Sequence, residues 1–136
     1  MMSFGAAIRT CLSKYVTFSG RAPRAEFWWF MVFTTLGSMV LQGALGAVAE
    51  GGSDVAILAL SALTLLWSLG LFLPSLAVTS RRLHDVGRSF WWYLLIFVPL
   101  IGMIVLLVWF CSRSKPEANR WGPPPYGLVD TAETFA

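Results

Sequence analysis

Three stretches of this chain contain no Asp, Glu, Lys or Arg: residues 27–49, 55–80 and 89–112, which are 23, 26 and 24 residues long. As helices they would each be about 35–39 Å long at 1.5 Å per residue, against a hydrocarbon core of about 30 Å. Together they take up more than half of the 136 residues. A water-soluble globule has no room to hide so much uncharged chain. Only 12% of the residues are charged, where about 25% is usual. The length allows one domain. The pattern predicts an all-α protein: a membrane bundle of three transmembrane helices. It excludes a nucleic-acid-binding domain and a disulfide-stapled secreted module.

Ahead of the first run, residues 3–18 read as an amphipathic interfacial helix. Phe4, Ile8, Cys11, Leu12, Tyr15 and Phe18 recur at steps of three and four, with Arg9, Ser13 and Lys14 mainly off that stripe. Such a helix lies in the headgroup plane or packs beneath the bundle. Gly20 and Pro23 break it. The first apolar run is too long for a cleaved secretory signal and reads as an uncleaved anchor. Pro74 is expected to kink the second run, where Trp67 serves bundle packing, and Pro99–Gly102 marks a bend in the third. Residues 1–127 form a single membrane domain in this reading. The tail, 113–136, is polar and Pro-rich and is expected to lie extended along the surface or to be mobile.

The two cysteines, Cys11 and Cys111, stand 100 residues apart, and there is one histidine. A four-ligand zinc site is therefore unavailable, and no metal or cofactor is expected. Lys and Arg mark the cytoplasmic side. Residues 1–26 carry four, the 50–54 turn none and the 81–88 connector three, which predicts a cytoplasmic N-terminus. Three full spans then put the tail outside, although Arg113, Lys115 and Arg120 open it with positive charge. The alternative is a re-entrant hairpin bent at Pro99–Gly102, with its freed backbone buried in protein. Three spans are the expectation.

Three polar clusters flank the runs. The first holds Phe18, Gly20, Arg21, Arg24, Glu26 and Trp28; the second Arg81, Arg82, His84, Asp85, Gly87, Arg88 and Trp91; the third Asn119, Trp121, Gly122 and Pro124. In order and spacing they resemble the bacterial inner-membrane family catalogued as domain of unknown function 805. That family reads roughly F-S-G-R-x-x-R-x-E-F/Y-W, then R-R-L-H-D-x-G-x-S-x-W, then N-x-Y/W-G-x-x-P. Phe90 stands where the family often has glycine, and Trp121 where it often has tyrosine. The resemblance implies a small multi-pass protein of the bacterial inner (plasma) membrane. It brings no activity, substrate or catalytic residue.

Arg21, Arg24, Arg81, Arg82 and Arg88 would all lie at one cytoplasmic interface, with Glu26 and Asp85 as partners for two of them. One reading is an interhelical clamp of ion pairs and hydrogen bonds. The other is a site for phosphate or lipid headgroups, because the planar guanidinium fork suits phosphate oxygens and five arginines outnumber two acids. His84 and Asp85 invite an enzymatic reading, yet neighbours on a helix point about 100° apart, so they form no direct dyad. Catalysis is not expected. The function expected is an accessory module that binds anionic headgroups or a larger membrane complex, with homo-oligomers possible and nucleic acid excluded. A homo-oligomeric transporter is the alternative, and an enzyme acting on lipid-linked substrates a more distant one. Against transport, the runs hold no charged residue and Gln42 is their only amide.

Overall fold

A computed structural model of the chain describes residues 2–125. Among them the fold is all-helical. Helix α1 spans Phe4–Ser13, α2 Arg24–Ala49, α3 Asp54–Asp85 and α4 Ile101–Cys111, with a 3₁₀ segment over Phe90–Phe97. Local signals set the boundaries. The Ser3 and Ser53 hydroxyls accept from the backbone N–H of Ala6 and Ala56 at 3.3 and 3.2 Å, capping α1 and α3. Pro23 precedes α2, and Gly20 and Gly87 take left-handed φ values of 89° and 80° in the two polar connectors. Helix α1 stops at Ser13, short of the predicted Phe18.

Helices α2 and α3, of 26 and 32 residues, are each long and apolar enough to cross a membrane. No residue in the most apolar stretch of either is buried. A core helix of a soluble protein would bury that stretch, so the two helices are candidate membrane spans. The two helices meet where Gly37 lies under the Trp67 ring. A Cβ on Gly37 would stand 2.0 Å from Trp67 Cζ2. The Trp67 indole N–H donates to Ser38 Oγ at 3.1 Å, so it packs inside the bundle as the sequence suggests. Pro74 sits buried inside α3, which continues past it.

The third run departs from the expectation of a third spanning helix. It folds as two short pieces, Phe90–Phe97 and Ile101–Cys111, joined by a tight bend. Leu100 adopts φ 64°, and a Cβ at Gly102 would stand 1.8 Å from the Leu95 carbonyl oxygen, so no larger residue fits there. The two ends then return to one another. The Trp92 and Trp109 rings meet edge to face at 5.7 Å, and the Arg88 guanidinium lies over both. The physical reason is local: Pro99 lacks the backbone donor a continuous helix needs there, and Gly102 lets the chain turn close against the Leu95 carbonyl, so a hairpin of eight and eleven residues forms where one continuous helix was expected.

The described part of the tail forms no helix and lies along the charged end of the molecule. Residues 113–125 dock against Arg21 in the connector before α2 and against the end of α3, with Ser114 and Pro124 buried. The rest of that segment, 126–136, lies outside the described residues. The buried core is gathered at this one end of the molecule. Cys11, Ala22, Phe27, Phe30, Leu83 and Phe110 are among its apolar members. The largest fully buried side chains are nevertheless Arg81 and Arg82.

Candidate functional site

The site is built where the connector 14–23, the last turns of α3, the end of α4 and the tail converge. Asp85 is its centre, with 0% of its surface exposed. One carboxylate oxygen accepts from Arg21 Nε at 3.0 Å; the other accepts from Arg82 Nη1 at 2.6 Å and from the Ser114 hydroxyl. A second buried pair joins Arg81 Nη1 to Glu26 Oε2. Three guanidiniums thus face two carboxylates, and backbone carbonyls take up most of the surplus donors.

Those carbonyls come from every segment at this end. Arg21 donates to the carbonyls of Lys115 at 2.6 Å and Glu117 at 2.9 Å. Arg82 Nε donates to the Phe110 carbonyl at 3.1 Å, and its Nη2 to those of Trp109 and Ser112. Arg24 Nη1 reaches the Cys111 carbonyl at 3.1 Å, and the Trp28 indole N–H that of Phe110 at 3.1 Å. The last carbonyls of a helix have no intrahelical partner and carry its negative dipole end. Cations supplied by two other helices therefore cap α4. Arg81 Nε donates to the Thr17 carbonyl at 3.2 Å, and the Ala22 N–H to the Arg81 carbonyl at 3.0 Å, pinning the connector. One Arg81 nitrogen, Nη2, is buried and has no partner among the described residues.

His84 lies beyond the apolar run 55–80 and joins the other two motifs without touching Asp85's carboxylate. Its Nδ1 is 3.0 Å from the Gly20 carbonyl, and its ring stacks on Trp121 at 4.4 Å and 7°. With a carbonyl opposite it, Nδ1 carries the proton of the neutral ring. Burial pushes the imidazole below its ordinary value; the Gly20 bond opposes that shift and Arg120 adds to it. Asn119 Nδ2 donates to the His84 carbonyl at 3.0 Å, and Asn119 pairs with Gly122 through the backbone. Gly122 holds φ 127°, and its carbonyl accepts from Arg21 at 3.4 Å.

All three sequence motifs are thus one assembly. Arg21, Glu26, Arg81, Arg82, His84 and Asp85 are buried in it, while Asn119 and Gly122 close it from the tail. Arg24 sits at the rim, and Arg88 is exposed outside, over the Trp92 and Trp109 rings. Sequence reasoning missed Ser114, which has no distinguishing pattern, and the carbonyl acceptors, which leave no trace in side-chain identity. Cys11, beside this network, has its thiol pushed up to about 12, first by burial and then by Glu26, so it stays protonated and inert. Among the described residues no group of three or more His, Cys, Asp or Glu side chains is placed to hold a metal ion.

A family model described as "Protein of unknown function (DUF805)" matches residues 15–123, which takes in the three motifs of this assembly except Pro124. The chain belongs to that family. It is similar to Inner membrane protein YhaI of Escherichia coli (strain K12), 45% identical over 114 residues, covering 84% of this chain and 90% of that protein. It is also similar to Inner membrane protein YhaH of the same strain, at 39% over 117 residues, 84% and 91% covered. No solved structure matches. Family membership and these relatives make the chain an inner membrane protein, and its two long apolar helices agree with that.

Proposed function

We propose that this protein is an accessory module of the cytoplasmic face of the inner membrane, holding anionic lipid headgroups on an exposed basic rim. In this reading α2 and α3 cross the bilayer. The Phe90–Cys111 hairpin enters and leaves on the cytoplasmic side, and α1 lies at the interface. All ten Lys and Arg residues fall in 1–26, 81–88 and 113–125, whereas the turn between α2 and α3 carries only Glu50 and Asp54. Every cation on one side is the arrangement that positive-inside sorting produces. Cytoplasmic placement of the tail also removes the conflict that three spans create.

The observation that carries the headgroup reading is a division among the cations. Arg21, Arg81 and Arg82 are buried and committed to carboxylates and carbonyls, so they serve as the clamp and are closed to a ligand. Arg9, Lys14, Arg88, Lys115 and Arg120 are exposed at the same end. Arg88 lies 4.7 Å over Trp109, a cation held at the depth where tryptophans sit beside headgroups. A juxtamembrane cation contributes about 1 kcal/mol toward an anionic surface. Native mass spectrometry of protein released from mixed phosphatidylglycerol–phosphatidylcholine nanodiscs tests this. The anionic lipid should be retained preferentially, and Arg9→Gln/Lys14→Gln/Arg88→Gln should cut that preference at least ten-fold with the fold intact. Equal retention of both lipids by the unmodified protein would sink the reading.

A cavity of about 270 Å³ under the hairpin, with Ser75, Thr79 and Tyr93 among its lining, favours a second reading: passage of a small neutral solute. Its support is weaker, because that lining is otherwise apolar.

A further inference from the structure

The face of α2 turned away from the rest of the molecule is not uniformly apolar. At about 100° per residue, Gly37, which packs under Trp67, points nearly opposite to Thr35, Gln42 and Gly46, which fall within about 40° of one another. Thr35, Gln42, Gly43 and Gly46 are all exposed. Neither the Thr35 hydroxyl nor the Gln42 carboxamide has a hydrogen-bond partner among the described residues. The outward face of α3 is different: Leu58, Leu65, Leu69 and Phe72 line it with 58–70% of each residue exposed, and the exposed Ser61 and Ser68 at its edge bring hydroxyls but no carboxamide.

Gln42 stands seven residues before the end of α2 at Ala49, about 10 Å along the axis. Lipid tails cannot hydrogen-bond the carboxamide, and leaving such a group unpaired in hydrocarbon is costly. We infer that this face of α2 is a homodimer interface in the membrane, with Gln42 pairing with Gln42 of the partner subunit across a two-fold axis. A second copy is the occupant that the chemistry selects. A carboxamide both donates and accepts, so it is complementary to itself under two-fold symmetry. The face carries no charge that would ask for an opposite charge on a different partner. Gly43 and Gly46, where an added methyl would meet nothing within 4 Å, let two backbones approach closely.

The inference rests on α2 crossing the membrane and is independent of headgroup binding. The test is copper–phenanthroline oxidation in native membranes, in a Cys111→Ser background, of Gln42→Cys and, separately, Leu58→Cys. Gln42→Cys should give a disulfide-linked dimer and Leu58→Cys should not. Energy transfer between labelled copies in detergent should show Gln42→Leu raising the dimer dissociation constant about three- to ten-fold, the range for one interhelical polar contact. A monomer for Gln42→Cys, equal crosslinking at Leu58→Cys, or an unchanged dissociation constant for Gln42→Leu would each overturn the interface. Rapid labelling of Gln42→Cys by a membrane-impermeant maleimide would also overturn it, and would trace the failure to α2 not lying in lipid.

Discussion

The two ends of this molecule are held together by opposite means. Toward the turn at residues 50–53, α2 and α3 lie side by side with apolar side chains facing outward. Their named contact there is a tryptophan over a glycine, with an indole N–H shared between the Ser38 hydroxyl and the Thr34 carbonyl. At the other end four segments are locked around Asp85 and Glu26 by guanidiniums with almost no exposed surface. The contrast follows from the solvent. Among lipid tails, burying a leucine gains little because the outside is already apolar, so packing depends on close backbones and rare polar contacts. Where the chain leaves the hydrocarbon, charges become affordable, and burying them together fixes which segments meet. Breaking such a cluster by removing one partner costs much more than the cluster itself contributes.

That contrast can be broken most forcefully at its centre. Asp85→Ala would leave Arg21 and Arg82 buried without their carboxylate, and we expect about 3–5 kcal/mol of destabilisation. Thermal unfolding in detergent measures it. A loss below about 1 kcal/mol would mean that water reaches the cluster and that the charged end is no stronger than the lipid-facing one. The counterpart at the other end is Trp67→Phe, which keeps an aromatic ring in the seam and removes the indole N–H bonds to Ser38 and Thr34. Its expected cost is about 0.5–1.5 kcal/mol, the scale of one polar contact between membrane helices. A larger loss would place the anchor of the bundle at mid-membrane.

The smallest effect sharpens the charged end by pH. Burial holds folded His84 below its ordinary value near 6.5, so above that pH the ring is neutral in both folded and unfolded chains. As the pH falls below about 6.5, the unfolded chain takes up the proton first, and stability drops. The difference in melting temperature between the unmodified protein and His84→Gln should therefore shrink from pH 7.5 to pH 5.5, the unmodified protein losing more. The subtraction also removes the buried carboxylates, which are common to both proteins. A difference independent of pH would mean that the Trp121 stack tolerates an imidazolium.

Much of this arrangement was legible in the residues. The uncharged runs marked the membrane class, the two Arg-rich motifs marked the cluster, and Pro99–Gly102 marked the bend. The outcome of the third run was not legible. Composition and length describe a spanning helix and a hairpin of the same residues equally well, and the choice depends on Gly102 meeting the Leu95 carbonyl. The pairing of Arg81 with Glu26, and of Arg21 and Arg82 with Asp85, could be guessed by charge. The fate of the surplus donors could not, because any residue carries a carbonyl. Several ties of the tail left no mark in the residues because its backbone makes them: Lys115, Glu117 and Gly122 contribute carbonyls, while Ser114, Asn119 and Trp121 add side-chain contacts.

The docked tail has a consequence for how the protein is made. Arg21 emerges early in synthesis, yet its acceptors at Lys115, Glu117 and Gly122 are about a hundred residues away and are translated only after both long helices. At about 5–20 residues per second, the chain spends several seconds with both long helices complete and the cluster still open. During that interval Asp85 lacks Ser114, and the end of α4 that Arg82 caps has yet to arrive. Insertion and assembly are thus separate events, and a chain that stops before residue 113 has its membrane helices without the lock that orders them.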